Sequence, residues 1–209
     1  MELLNILYSD ADLVCVDKPS GLLSVQGKGE AGRDCVINRL IDRFGWAREA
    51  HRLDMDTSGL MVVALTAESH SDLCRQFRDR TVTKQYEAIV LGHPQLDEGE
   101  IELPLRADIA NRPRQIVDHE LGRPSLTRYR VMARNENGTA RLELTPATGR
   151  SHQLRVHLAS VGHPILGDDL YASAKALAMS TRLLLHATAL GITQPVTGER
   201  LDFVSSSPF

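Results

Sequence analysis

His51-Arg52-Leu53-Asp54-Met55-Asp56-Thr57-Ser58-Gly59-Leu60-Met61-Val62-Val63-Ala64-Leu65-Thr66 passes from a charged segment through a Thr-Ser-Gly bend into an unbroken apolar run. Gly59 and the small hydroxyl residues before it mark a tight bend. Leu60 to Leu65 is short, apolar and partly β-branched, the composition of a buried strand. Asp54 therefore sits on a bend feeding a core strand, where a carboxylate can be held rigidly beside a cleft. Asp also favours turns for local hydrogen bonding alone, and Arg52 reads equally well as a solvated charge. Taken alone, the stretch leaves a capped turn and a functional carboxylate both open.

The chain has 209 residues, enough for one substantial core or two small lobes sharing one. Its 42% apolar and 24% charged residues are ordinary for a soluble globular protein. No apolar run approaches the roughly 18 residues needed to span a bilayer. The first residues, Met1-Glu2-Leu3-Leu4-Asn5, lack both a basic segment and a long apolar one, so a cytoplasmic protein with no membrane partner is expected. Cys15, Cys35 and Cys74 are odd in number and scattered, and read as reduced packing residues.

A formal net charge of −3 argues against a purely electrostatic nucleic-acid binder, but the distribution of charge says more. The cations are 20 Arg and only 4 Lys. Between Arg106 and Arg134 there are seven Arg (106, 112, 114, 123, 128, 130 and 134) against Asp108, Asp118 and Glu120, a local excess of four positive charges. Arg75, Arg78, Arg80 and Lys84 form a second basic group opposed by Asp79. The planar guanidinium suits phosphate, so two such patches on a slightly acidic body can dock RNA. The plainer alternative is codon bias towards Arg on a solvated strand face.

Leu4–Tyr8 and Leu13–Asp17 predict two short strands, and Lys18-Pro19-Ser20-Gly21 a turn. Asp34 is expected to cap a helix with apolar residues at Val36, Ile37, Leu40, Ile41 and Phe44, ended by Gly45. Thr66 caps a second helix from Ala67 to about Arg80. Thr83–Leu91 alternates as a half-buried strand does. Further strands are expected at Gly99–Leu103, Gln115–Val117, Thr127–Met132 and Ala140–Leu144, with Asn137-Gly138 as a hairpin turn. Leu154, Leu158 and Val161 predict a helix from about Ser151, stopped by Gly162. Leu183–Ile192 and Arg200–Val204 are closing strands. Many strands with a few irregularly inserted helices indicate an α+β fold with a mixed, largely antiparallel central sheet. Without an obvious linker, residues 1–209 read as a single catalytic domain.

Three residues can converge on chemistry: Asp54 after its bend, Tyr86 on a strand, and Arg155 on a helix whose Leu154 and Leu158 must be buried. An Arg at the core boundary usually needs a carboxylate. Pairing with Asp54 would keep that carboxylate ionised, as suits a nucleophile or base; an ion pair that merely pins helix to strand is the alternative. Metal chemistry finds little support. His152 and His157 lie about 140° apart on a helix, and there is no H-E-x-x-H or C-x-x-C. Asp168-Asp169 more often forms a solvated turn than a cation site. A serine hydrolase would need a G-x-S-x-G elbow, which is missing. His163 and His186 read as hydrogen-bonded structural histidines.

His51-Arg52-Leu53-Asp54 followed by Thr57-Ser58-Gly59 resembles the signature of the RluA-type pseudouridine synthases. Lys84-Gln85-Tyr86 resembles the family's tyrosine motif, and Gly149 to His157 (GRSHQLRVH) its arginine motif. Leu13–Gly21, His163–Asp168 and Leu183–Ala187 resemble its remaining blocks, in order along nearly the whole chain. The compact length and Asn111-Arg112-Pro113-Arg114-Gln115 are most similar to the dual-specificity branch that acts on 23S rRNA and tRNA.

The resemblance implies the pseudouridine synthase catalytic fold and an isomerase that converts uridine to pseudouridine in structured RNA, with no cofactor and no metal. It makes Asp54 the catalytic carboxylate, Tyr86 the active-site tyrosine and Arg155 the partner of Asp54, with Leu154 as apolar neighbour. Arg52 would enter the base stack where the target uridine leaves it, as base flipping requires. Asp54 could attack C1′ or the base, or take a sugar proton; the three stay open. Related synthases often carry an N-terminal S4-like domain. Strand signals here begin at Leu4, so none is expected, and Arg112 and Arg114 are expected to contribute RNA affinity instead. A monomer without an obligate protein partner is expected. A carboxylate-based nucleosidase or glycosidase, and a non-catalytic RNA-binding protein, are the competing readings. Asp56, at a variable position of the motif, is expected to be dispensable.

Overall fold

The computed structural model describes residues 4–209, which divide into two compact units. The first comprises the chain up to Lys84 together with His186–Pro208, and the second Gln85–Leu185 with Phe209. None of the helices among the described residues is long and apolar enough to cross a membrane.

In the first unit β1 (Asn5–Ser9) and β2 (Leu13–Lys18) form an antiparallel hairpin. Asp10 closes it by accepting the Asp12 and Leu13 N–H groups at 2.7 and 2.8 Å. Helix α1 (Val36–Phe44) ends at Gly45, whose φ of 79° is the left-handed value glycine tolerates. Its N-cap is Cys35 rather than Asp34: the Cys35 sulfur accepts the Asn38 N–H at 3.4 Å. Asp34 is drawn off by Arg39, which binds it through Nε at 2.6 Å and Nη2 at 2.8 Å. A two-residue strand, β3 (Arg48–Glu49), then leads to β4 (Ser58–Ala64).

All seven residues of β4 are buried, and the strand has neighbours along both edges. Strand β2 runs antiparallel along one edge, and β3 pairs at Val63–Ala64 of the other. Helix α2 (Ala67–Asp79) is capped by the Thr66 hydroxyl, which accepts the Ser69 N–H at 3.2 Å, and buries Leu73.

Strand β5 (Thr83–Leu91) carries the chain into the second unit. There follow β6 (Glu98–Glu102), β7 (Leu105–Ala107), β8 (Gln115–Val117), β9 (Leu126–Asn135) and β10 (Thr139–Pro146). Their antiparallel sheet has the order β5-β10-β9-β6, and β7 pairs with β8 as a separate hairpin. The β9–β10 turn is the expected one: Gly138 takes φ 77° and donates to the Asn135 carbonyl at 3.1 Å.

The alternation expected of β5 gives way to consecutive burial at Ala88, Ile89 and Val90. Both faces of the strand are covered. Ala88 and Val90 join a core with Leu142, Leu144, Leu154 and Leu158, whereas Ile89 packs with Leu166 and Ala176.

Helix α3 (Gln153–Ser160) starts after His152, which adopts φ 54°. Its residues from Gln153 to Leu158 are all buried, so it is enclosed on more sides than the Leu154–Leu158–Val161 stripe suggests, and Val161 is exposed. Of its buried polar groups, Gln153 Nε2 donates to Leu126 O and Thr127 Oγ1, both at 3.0 Å, and His157 Nε2 lies 2.9 Å from Ser125 Oγ, while His157 Nδ1 has no hydrogen-bond partner among the described residues.

After the short α4 (Ala174–Ala178), β11 (Leu185–Thr193) and β12 (Arg200–Val204) return to the first unit. Strand β12 is antiparallel to β11, which meets the start of β4 in parallel at Ser58 and Gly59. This parallel pair sits amid antiparallel neighbours, so the α+β reading with a mixed, largely antiparallel sheet holds. Gly59 is required at this contact: with φ 109°, a Cβ there would overlap the Ala187 backbone.

Candidate active site

The Asp54 loop is held by the segment that follows β2. Lys18 is 0% exposed, and its ammonium donates to three carbonyls: Pro19 O at 2.9 Å, Leu22 O at 2.7 Å and Met55 O at 2.7 Å. Gly21 N–H donates to the same Met55 carbonyl at 3.0 Å, and Ser20 Oγ to Asp56 O at 2.7 Å. Ser24 Oγ donates to Leu53 O at 2.7 Å and accepts the Leu53 N–H at 3.1 Å. The backbone on both sides of Asp54 is thus fastened by main-chain and side-chain donors of residues 18–24. These bonds end on backbone atoms of the loop, and the Asp54 side chain between them is half-buried. Sequence reasoning took Lys18-Pro19-Ser20-Gly21 for a turn and missed the role of Lys18; the available signal was a lysine terminating an apolar strand.

The rest of the motif is anchored to the core. His51 Nε2 accepts the Val62 N–H at 3.0 Å, and its ring stacks on Phe77 at 4.3 Å. Burial, with a smaller contribution from the Lys84 charge, pushes the His51 pKa down to about 3, so the ring is a neutral anchor at ordinary pH. Ser205 Oγ donates to Asp17 at 2.6 Å and so accepts from His186 Nε2 at 3.0 Å. His186 Nδ1 is then the acceptor for the Ser58 hydroxyl at 2.8 Å. This buried chain gives His186 the structural role expected of it. Arg52 is exposed, with no hydrogen bond or ion pair among the described residues.

In the second unit Tyr86 lies opposite Leu144 on the β5–β10 ladder and packs against the core that contains Leu154. Arg155 is 2% exposed, as its apolar neighbours require. Its Nε donates to Asp168 Oδ2 at 2.8 Å and its Nη2 to Asp168 Oδ1 at 2.7 Å. Asp169 Oδ1 accepts a further bond from Nη2 at 3.0 Å. The carboxylate that a buried arginine demands is thus supplied within its own unit by Asp168.

Asp168 is itself 1% exposed and also accepts the Leu170 and Tyr171 N–H groups. That corrects the reading of Asp168-Asp169 as a solvated turn. The turn exists, but its first carboxylate faces inward because Arg155 is there; only Asp169 is exposed.

The arginine-rich segment also needs correcting. Arg106, Arg128, Arg130 and Arg134 are ion-paired with Asp118, Glu100, Glu143 and Asp97. Three of those acids lie outside the Arg106–Arg134 window, on neighbouring elements, and cancel charge that counting along the chain left unopposed. Arg112, Arg114 and Arg123 are exposed and have no ion pair among the described residues. Arg112 and Arg114 lie on the loop joining β7 to β8, shaped by Asp108, whose Oδ1 accepts from the Ala110 and Asn111 N–H groups.

No group of three His, Cys, Asp or Glu residues is placed to hold a metal ion among the described residues. A cavity of about 330 Å³ in the second unit, lined in part by Leu96, Glu100, Tyr129 and His163, contains none of the expected site residues.

Residues 12–160 match the family described as RNA pseudouridylate synthase. Over 206 residues the chain is 50% identical to the dual-specificity RNA pseudouridine synthase RluA of Haemophilus influenzae, and 51% identical to that of Escherichia coli. In both comparisons 99% of this chain aligns with 94% of the relative. Among solved structures, human RNA pseudouridylate synthase domain containing 1 superposes with a TM-score of 0.82 at 30% identity, covering 99% of this chain and 84% of that one. The human domain containing 4 gives 0.78 at 28% identity, covering 98% and 88%. The nucleosidase and non-catalytic RNA-binding readings find no such support. The chain belongs to the RNA pseudouridylate synthase family and is an RNA pseudouridine synthase.

Proposed function

We propose that Asp54 is the catalytic carboxylate of this synthase, and that its substrates are stem-loops of 23S rRNA and tRNA, as the sequence resemblance to the dual-specificity branch implies. The observation carrying the assignment is the clamp of residues 18–24, which fastens the backbone on both sides of Asp54. The reaction breaks N1–C1′, turns the uracil and joins C5 to C1′; the C5 proton leaves and N1 gains one. It is redox-neutral and needs no external cofactor. An anionic oxygen held at fixed geometry suits this chemistry.

In this proposal the Arg155 guanidinium, with its plane set by Asp168 and Asp169, is the cationic partner of Asp54. Tyr86 stacks on the target base, with Leu154 as its apolar support. Arg52, exposed on the same loop as Asp54, fills the gap left by the flipped uridine. Arg112 and Arg114 meet RNA phosphates. We further propose that the protein works as a cytoplasmic monomer, with residues 1–209 as one catalytic domain.

The test is tritium release from C5-labelled stem-loop RNA, with carbodiimide mapping of the product. Asp54→Asn is expected to abolish release while the protein stays folded, and Asp56→Asn to retain most activity. Full turnover by Asp54→Asn removes the assignment.

A further inference from the structure

Tyr171 is absorbed by none of the roles above, yet it touches two of the residues that carry them, Arg155 and Arg114. Its hydroxyl accepts the Gln115 N–H at 2.7 Å, at the start of β8, and lies 2.7 Å from His152 Nδ1, at the start of α3. The Arg155 guanidinium is 5.3 Å from the centre of its ring and that of Arg114 5.8 Å, within the range where a cation is attracted to a π-face. Its own N–H is bound at 3.0 Å by Asp168, the carboxylate that holds Arg155. One half-buried side chain therefore joins the loop hairpin bearing Arg112 and Arg114 to the Arg155–Asp168 pair.

The hairpin needs such an anchor. Strands β7 and β8 are three residues each, and a two-stranded hairpin is marginal by itself. Apart from its own ladder, the Leu105–Arg123 bridge and the Tyr171 hydroxyl tie it down. The hydroxyl is thus one of the ties that fix the hairpin, and with it the loop arginines, relative to Arg155.

We propose that Tyr171 is a positioning residue that couples RNA docking on the Arg112–Arg114 loop to the orientation of Arg155. The inference rests on the assignment of Arg155 and of the loop arginines made under Proposed function.

The hydroxyl and the ring do separable work, which makes the proposal testable by steady-state kinetics on a stem-loop RNA. Tyr171→Phe removes both hydroxyl hydrogen bonds but keeps the ring. It is expected to raise KM about 5- to 10-fold, the worth of one or two such bonds, with kcat within about twofold of wild type. Tyr171→Leu also removes the π-face beneath Arg155 and is expected to lower kcat about 10-fold in addition.

A double-mutant cycle keeps the test decisive if the leucine variant folds poorly. In an Arg114→Ala background, Tyr171→Phe should change KM by less than about twofold, because the group it positions is already missing. An unchanged KM in Tyr171→Phe, even with a lowered melting temperature, overturns the proposal by showing a purely structural clamp. So does independent multiplication of the two KM effects. An unchanged KM in Arg114→Ala alone would instead refute the underlying assignment of the loop arginines, and that single variant tells the two failures apart.

Discussion

Replacing Lys18 with Met tests whether the Asp54 loop is fastened as its hydrogen bonds indicate. The substitution removes a fully buried ammonium and three N–H···O bonds while roughly conserving side-chain length. The three carbonyls do not suffer equally. Met55 O keeps the Gly21 N–H at 3.0 Å and Pro19 is exposed to water, so the buried Leu22 carbonyl loses most. An unsatisfied buried acceptor costs about 1–3 kcal/mol. Relief from desolvating a charge offsets part of that, leaving an expected loss of about 1–2 kcal/mol. With a urea m-value of about 2 kcal/mol/M, the unfolding midpoint should fall by about 0.5–1 M. Because the missing donor held the carbonyl next to Asp54, kcat should fall at least about 10-fold under conditions where the variant remains folded. Wild-type midpoint and turnover in Lys18→Met would refute the clamp. A lowered midpoint with full turnover would show that the clamp holds the fold but does not position Asp54.

Three further outcomes follow from the same geometry. Folded His51 binds its proton more weakly (about 3, against 6.5 unfolded), so stability rises with pH between those values, and His51 alone removes about 2 kcal/mol from pH 7.5 to 5. Urea titrations across that range should show a flatter acid slope for His51→Gln, and an unchanged slope would refute the buried neutral ring. Asp168→Asn breaks a pair whose partners are 1% and 2% exposed; it should lower stability by about 3–5 kcal/mol in denaturant titrations and depress kcat. A variant as stable as wild type would mean that Arg155 is held by something else. Replacing Arg112 and Arg114 with Ala should weaken RNA binding and flatten log K against log salt by about 0.7 for each phosphate no longer neutralised; an unmoved slope would place the loop away from phosphate.

What could be read from the chain, and what could not, divides along a physical line. Alternation located β12 closely, and apolar patterning located β4 and α2, because burial of a short segment against a core is recorded in its own residues. Arg155 was legible as a buried cation for the same reason: Leu154 and Leu158 fix the face of α3 on which it sits. Asp168 was not, since nothing adjacent to it marks a charge as buried, and the one cue for Lys18, its place at the end of an apolar strand, says nothing of its partners. The Lys18 ammonium is satisfied partly by a carbonyl 37 residues away, and Asp168 by a guanidinium 13 residues earlier. A charge can leave water when distant partners replace its hydration, and those partners become visible only once the chain is folded.

The arginine-rich segment shows how a sheet redistributes charge that sequence counts as local. Arg128 lies on β9 opposite Glu100 on β6, and Arg130 opposite Glu143 on β10, so strand register supplies each with an acid 28 or 13 residues away. A cation within a strand acquires cross-strand neighbours whether or not function needs them. Arg112 and Arg114 lie on a connecting loop with no strand alongside, and Arg52 on the approach to β4, outside any ladder. Topology, more than composition, leaves these guanidinium groups exposed and without an ion pair among the described residues. RNA affinity should therefore respond far more to substitutions at Arg112, Arg114 and Arg52 than to the same substitutions at Arg128 and Arg130, although the sequence presents most of them as one run.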